Sequence, residues 1–256
     1  MKIMLDAGHS GLANQSPVVP EYYESKRMWV LCEYLAEELS FYGFEVFKTR
    51  DALEKDIPVV KRGEMAKGCD LFLSLHSNAV DGEKNEYIDR VHVFGAYDNL
   101  NNSHELAKIL ADAINECMGT SGGYVSTRKS DEGEREYYGV LRGARSVGCP
   151  LFYIVEHSFH TNKAASIWLL SDDNLRRLAR IEAATIAAYF GLSLEYDLGD
   201  VDMNRKIDAS DYLIVKRAVA GTYDLSPLQQ RLADMDTSGN IDVIDYMLLK
   251  RKSFEK

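Results

Sequence analysis

The sequence predicts an α/β domain, a mostly parallel twisted sheet flanked by helices, followed by a small all-α module that is internally duplicated. Three observations carry the prediction. Short apolar runs with strand character alternate with stretches of helical period, which is the pattern of α/β layering. The texture changes from Gly199 on, where residues 200–212 recur as residues 234–246. The composition is globular, with 46% hydrophobic and 27% charged residues in 256, enough to bury a core in one large domain plus a small module.

The elements follow in order. "KIMLDAG" (2–8) reads as a first strand. Residues from about Glu24 to Phe41 put Met28, Leu31, Cys32, Leu35 and Leu39 on one helical face, with Gly43 placed to stop the helix. "FEVFKTR" (44–50) is a second strand, and Asp56 with Pro58 opens a helix that runs to Ala66. "DLFLSLH" (70–76) and "RVHVFGAY" (90–97) are strands three and four. An amphipathic helix follows, capped by Asn102 or Ser103 and ended by Gly119. "LFYIVEH" (151–157) is a late strand before helical sequence from about Lys163 to Phe190.

Charge and cysteine usage exclude several classes. The formal net charge is -10, so nothing builds a stripe that tracks phosphates, and a nucleic-acid partner is not expected. No apolar stretch reaches the ~20 residues of a membrane span. Met1-Lys2 runs straight into "IMLDAG", which is no export signal. Cys32, Cys69, Cys117 and Cys149 are widely spaced and read as small buried hydrophobes.

Three strand-like runs end in a polar group: "IMLDAGH" at His9, "LFLSLH" at His76 and "LFYIVEH" at Glu156. Ligand sites in open α/β sheets lie beyond the carboxyl ends of the strands. A lone strand-end histidine is more often structural, but three such coincidences point to a shared site. Two imidazoles and a carboxylate with an open position form the ligand set of a hydrolytic zinc centre. Glu24, opening the first helix, is the expected carboxylate ligand, and Glu21 its rival. His157 alternates away from Glu156 along its strand, His160 is expected to hydrogen-bond within a loop, and His92 and His104 are read as incidental.

These segments resemble the zinc-dependent N-acetylmuramoyl-L-alanine amidases of the amidase-3 type, across about residues 2 to 191. "DAGHSG" (6–11) matches the family's Asp-x-Gly-His-x-Gly turn, Glu24 its helix-opening glutamate, and "SLHSNA" (74–79) its Ser-x-His-x-Asn-Ala segment. "EHSFHTN" (156–162) matches its Glu-x-Gly-Phe-x-x-Asn segment, with Ser158 where the family usually has glycine. The resemblance implies an amidase-3-like fold with one catalytic Zn2+ on His9, Glu24 and His76. It implies Glu156 as catalytic carboxylate. The implied substrate is peptidoglycan, cleaved between the lactyl group of N-acetylmuramic acid and L-alanine.

The repeated tail carries oxygen ligands at loop positions 1, 3, 5, 9 and 12. They are Asp200, Asp202, Asn204, Asp208 and Asp211 in the first copy and Asp234, Asp236, Ser238, Asp242 and Asp245 in the second. Lys206 and Asn240 stand at position 7, which lends a backbone carbonyl, so two Ca2+ ions are expected. The tail resembles a type I dockerin, whose partner is a cohesin on a scaffolding protein. The resemblance assigns partner contacts to Ala209, Ser210, Lys216 and Arg217, and to Val243, Ile244, Lys250 and Arg251. Arg205 replaces the position-6 glycine kept as Gly239, so a weaker or distorted first loop is expected.

The expected organisation is a zinc amidase domain at 1–191, a linker at 192–198 and a dockerin at 199–256. The expected protein is monomeric and extracellular or held at a cell surface. Two alternatives remain: a non-catalytic peptidoglycan-binding fold on a dockerin tether, and a zinc peptidase or deacetylase using the same ligands. The substrate pocket is expected in loops such as 80–90 and 120–137.

Overall fold

Six strands build the sheet of the computed structural model, which describes residues 1–80 and 87–255. They are β1 (Lys2–Ala7), β2 (Glu45–Lys48), β3 (Leu71–Asn78), β4 (Val91–Phe94), β5 (Gly123–Ser126) and β6 (Leu151–Phe159), in the order β2-β1-β3-β6-β4-β5. All pairings are parallel except that of β4 with β6. β4 starts at the edge where β3 ends and runs back, and this makes a sheet expected to be mostly parallel a mixed one. The chain divides into two compact units, Met1–Leu192 and Ser193–Lys256. Part of the expected pocket loop, residues 81–86, lies outside the described residues.

Strand periodicity sorts the side chains onto two faces. On one face Ile3, Leu5, Leu73, Leu75, Val93, Tyr153 and Val155 form the main core. Packed over them are α1 (Glu24–Phe41), α3 (His104–Met118) and α6 (Asp172–Tyr189), through residues such as Met28, Leu35, Leu110, Ile114, Leu178 and Ile186. On the other face Met4, Phe72, Phe152 and Ile154 meet Ala66, Val140, Leu141 and Ala144, near α2 (Val59–Glu64) and α4 (Gly139–Ser146). The rest of this second face, nearer the carboxyl ends of the strands, carries Asp6, Ser74, His76 and Glu156.

The departures from the expected elements have physical causes. β5 is four residues long and only part-buried, so it lacks a full alternating pattern. α4 carries Gly139 and Gly143 in eight residues, which suppresses a helical reading. The stretch from Lys163 is two helices, α5 (Lys163–Leu170) and α6, because Ser171 is extended and its side chain caps α6. Ser103 does not cap α3 with its side chain; Asn99 does so from a distance, accepting the His104 N–H at 2.9 Å. Gly43 and Gly119 end their helices at φ 84 and 70, as expected.

The second unit holds α7 (Ala209–Val219), α8 (Pro227–Ala233) and α9 (Val243–Lys252) around a core of Val201, Val215, Ala233 and Leu249. α8 lies between the repeats and was not expected. Its N-terminus is a capping box of Ser226 and Gln229 with Pro227 in the first turn.

The glycines of α2 and α4 let the two backbones touch. A Cβ on Gly63 would lie 2.0 Å from Val140 O, and one on Gly143 would lie 2.1 Å from Val60 O. Neither neighbour can rotate away, because both are backbone. Gly63→Ala is expected to lower the unfolding free energy by about 3 kcal/mol, the upper range for an overpacked core. Denaturant titration checks this; an unchanged midpoint would mean the helices separate freely.

Candidate metal centre

β1, β3 and β6 are adjacent and parallel, so their carboxyl ends open onto one place. His76 pairs in register with Glu156, and the turn after β1 brings His9 alongside. Glu24, the first residue of α1, reaches in from above β3. The expected four residues are thus brought together. Glu21 is exposed, whereas Glu24 is 1% exposed.

The turn at His9 is held under strain. His9 has φ 57 and Asn14 φ 56, left-handed values that cost a non-glycine residue about 1–2 kcal/mol each. Two guanidinium groups clamp the turn: Arg50 Nη2 donates to Ala7 O at 3.1 Å and to Gly8 O at 3.3 Å, and Arg62 Nη1 to Ala7 O at 3.5 Å. Below the turn Asp6 is buried, accepting from Thr49 Oγ1 at 2.6 Å and Ser74 Oγ at 2.7 Å. The aspartate of "DAGH" is therefore a structural anchor. Gly8 is required by close approach, since a Cβ there would lie 2.5 Å from His76 Cε1.

Glu24 is the centre of the polar contacts. Its Oε1 accepts from His76 Nδ1 at 2.8 Å and from the Ser77 N–H at 3.1 Å. Its Oε2 accepts from Asn14 Nδ2 at 2.7 Å and lies 3.4 Å from His9 Nε2. Asn14 Nδ2 also donates to His9 Nε2 at 2.9 Å. Burial alone would raise the Glu24 carboxyl, but the hydrogen bond from His76, with the His9 ring close by, outweighs it and holds it far below the usual range. Burial likewise would lower His76, and the Glu24 carboxylate raises it to about 9. Glu156 has the opposite environment: burial pushes it up to about 7, with the His76 charge opposing.

The donor set fits a metal ion. One ligand atom each from His9, Glu24 and His76 lie within 4.8 Å of one another. The 3.4 Å between His9 Nε2 and Glu24 Oε2 is close to the edge of a tetrahedron with bonds near 2.1 Å, about 3.4 Å. The Asn14 amide holds the two donor atoms in place with a hydrogen, where a cation would hold them with its charge.

The remaining histidines fall outside this set. His157 faces the opposite side, fully buried, donating to His76 O at 2.9 Å and to Glu182 Oε1 at 2.9 Å. Burial opposes its charge, but Glu182 raises it, and two acceptors require both ring protons. It braces the backbone of His76 from the far face. His160 donates to Ser77 O at 2.8 Å and stacks on Tyr22, the loop role expected of it. His104 bonds Ala96 O at 2.8 Å. His92, read as incidental, instead pairs directly across the sheet from Glu156. Ser158, at the expected glycine, has φ 59, and its Oγ donates to Asp89 at 2.6 Å, a bond that offsets the left-handed strain.

In the second unit the two loops are near copies. Asp200 accepts from Asn204 N at 3.0 Å and Arg205 N at 2.7 Å; Asp234 accepts from Ser238 N and Gly239 N at the same distances. Arg205 adopts φ 66 beside 84 for Gly239, so the first loop keeps its course and bears the strain rather than being distorted. Asp200, Asp202 and Asp211 form one group able to hold a cation; Asp234, Asp236 and Asp245 form the other. Asp208 and Asp242 are also the N-caps of α7 and α9, each using one carboxylate oxygen. Asn204 Oδ1 and Ser238 Oγ accept from the Lys206 and Asn240 N–H groups. Ala209, Ser210, Lys216, Arg217, Val243, Ile244, Lys250 and Arg251 are exposed.

Comparisons with known proteins agree with both units. The family model described as N-acetylmuramoyl-L-alanine amidase matches residues 3–188, and that of the dockerin type I domain matches residues 198–252. Among solved structures, the catalytic domain of CwlV, an N-acetylmuramoyl-L-alanine amidase from Bacillus (Paenibacillus) polymyxa var. colistinus, is 17% identical with a TM-score of 0.62. The match covers 75% of this chain and 99% of that one. The amidase AmiC2 of Nostoc punctiforme is 23% identical with a TM-score of 0.61, over 75% of this chain and 97% of that one. Cwp6 from Clostridium difficile is 22% identical with a TM-score of 0.60 over 73% of this chain, which spans only 29% of the Cwp6 chain. At these identities the likeness shows the fold. No curated protein sequence matches the chain.

The geometry predicts that Gly8→Ala displaces His76 and empties the centre while the sheet still forms. Metal analysis of the purified variant should find less than a tenth of the wild-type content, because lost ligand geometry costs 10–100-fold in affinity. Full metal content in Gly8→Ala would remove His76 from the ligand set.

Proposed function

The chain belongs to the N-acetylmuramoyl-L-alanine amidase family, and we propose that it hydrolyses the amide between the N-acetylmuramic acid lactyl group and L-alanine in peptidoglycan, using one zinc ion. The observation that carries this reading is the register pair His76–Glu156, which sets a half-buried acid beside a group of three converging donors. His9, Glu24 and His76 would hold the zinc. Zinc held there supplies a Lewis acid that acidifies water and polarises the scissile carbonyl. Glu156 takes the proton of the attacking water and returns it to the leaving amine, a double task suited to an acid near neutrality. Glu24 stays ionised and fixes both imidazoles. Asn14 keeps Glu24 in place, and the Arg50 clamp fixes the His9 turn.

The tail is read as a dockerin beginning near residue 199, after a linker at 192–198 and a catalytic domain at 1–191. Two calcium ions, one per acidic group, would fold it against a cohesin partner. The α9 face carries Val243, Ile244 and Met247, 55%, 49% and 63% exposed, whereas α7 offers Ala209 and Ser210 at the positions of the first two. The two faces are therefore not interchangeable to a partner. Among the described residues no helix is long and apolar enough to cross a membrane. A monomer working outside the cell, on a scaffold, accounts for these features together.

Glu156→Gln should retain zinc and fold while losing on the order of 10²-fold or more of the hydrolysis rate. The assay is product analysis on purified peptidoglycan, scoring free lactyl groups and new L-alanine amino termini. New termini elsewhere in the stem peptide would indicate a peptidase, released acetate a deacetylase, and no product at all a binding fold.

A second expectation concerns the tail. Its four-residue core is small, so ligand bound only by the folded state supplies much of its stability. In a calcium-free, zinc-loaded chain, residues 200–252 should exchange amide hydrogens rapidly and cohesin should not be retained, while activity on soluble muropeptides persists. Adding calcium should restore protection and binding, the second loop filling before the strained first. Equal protection without calcium would contradict the reading.

A further inference from the structure

Glu156 faces His76 on one side and His92 on the other, paired through their Cα atoms with β3 and β4. Directly paired residues project to the same face of a sheet. One transverse row therefore reads His76, Glu156, His92 and, on β5, Tyr124. Two polar atoms in the row, Glu156 Oε2 and His92 Nε2, are buried and meet no hydrogen-bond partner among the described residues. A buried polar atom is costly to leave unsatisfied. Two of them on facing positions ask for a shared bridging group.

The imidazole of His92 is held in place. Its Nδ1 lies 2.8 Å from Ser126 Oγ. The ring stacks on Phe94 and Tyr124 at 5.9 and 5.6 Å and meets the Phe159 edge at 6.1 Å. Burial, with the Arg90 charge, lowers its pKa, so the ring is neutral at neutral pH. If the Ser126 hydroxyl donates to Nδ1, the single ring proton sits on Nε2, the atom without a partner.

We propose that His92 is a positioning residue for Glu156: one water accepts from His92 Nε2–H and donates to Glu156 Oε2, holding the carboxyl in the orientation from which it takes and returns the proton. The inference rests on Glu156 being the general base. It assigns the fourth strand a part in the reaction that its position outside the three converging strand ends conceals.

The test compares wild type, His92→Phe, His92→Gln, Glu156→Gln and the double variant His92→Phe/Glu156→Gln on a soluble muropeptide. Zinc content and thermal midpoint are measured alongside. Phenylalanine keeps the stacking and removes both nitrogens; glutamine keeps a donor at similar reach. His92→Phe should lose about tenfold in kcat with KM nearly unchanged and zinc retained, His92→Gln should recover most of it, and His92→Phe should cost nothing further once Glu156 is glutamine. An unchanged kcat in His92→Phe, a loss seen only in KM, or equal losses with and without Glu156 would overturn the proposal. Should His92→Phe fail to fold, full activity or no activity in folded His92→Gln supports or refutes the role of the donor respectively. Normal turnover by Glu156→Gln would instead remove the general-base reading itself, leaving the two failures distinguishable.

Discussion

A carboxylate that is 1% exposed, as Glu24 is, survives in ionised form only if positive charge or donors surround it. That requirement organises the first unit's site. It draws His76 in from β3, His9 from the turn after β1, the Ser77 N–H from the strand backbone and Asn14 from a left-handed loop residue. None of these could be placed without the rest of the fold. His9 stays in its strained turn because Arg50 bonds the preceding carbonyls, and His76 keeps its height because His157 bonds its carbonyl from the other face. The sheet supplies the positions; the buried acid makes them a single arrangement.

Two glutamates share this site with opposite fates. Glu24 is surrounded by donors and remains charged, whereas half-buried Glu156 has one buried oxygen unmet and rises to about 7. Environments that drive two acids apart suit them to different work, and in the proposed reading one is ligand and the other proton carrier. The same logic recurs in the tail without catalysis. Asp211 and Asp245 are fully buried acids held by backbone N–H groups. There the bonds close a loop, which in the proposed reading surrounds a cation.

Much of this was legible in the sequence, for local reasons. His9, His76 and Glu156 each end an apolar run, and Glu24 opens a helix, so linear spacing alone suggested convergence; the resemblance assigned the roles. The duplicated tail was plain because both copies keep oxygen at the same intervals. What could not be read depends on partners remote in the chain. β5 and α4 are short and glycine-bearing, and only their packing makes them regular. His92 acquires meaning from the antiparallel register of β4 on β6, which no local pattern encodes. Asp208 and Asp242 were read as ligands by position; that each also caps the helix one residue away, with one oxygen accepting a backbone N–H, could not be read from that position alone.

The central claim is that one metal ion joins the strand ends through His9, Glu24 and His76. Anomalous X-ray scattering from crystals of the intact chain, recorded above and below the zinc absorption edge, addresses it directly. The account predicts one strong zinc peak in the first unit, within about 2.3 Å of one atom of each of these residues, and calcium only in the tail. A zinc peak on other side chains, or none at this place in crystals grown with zinc, would contradict it.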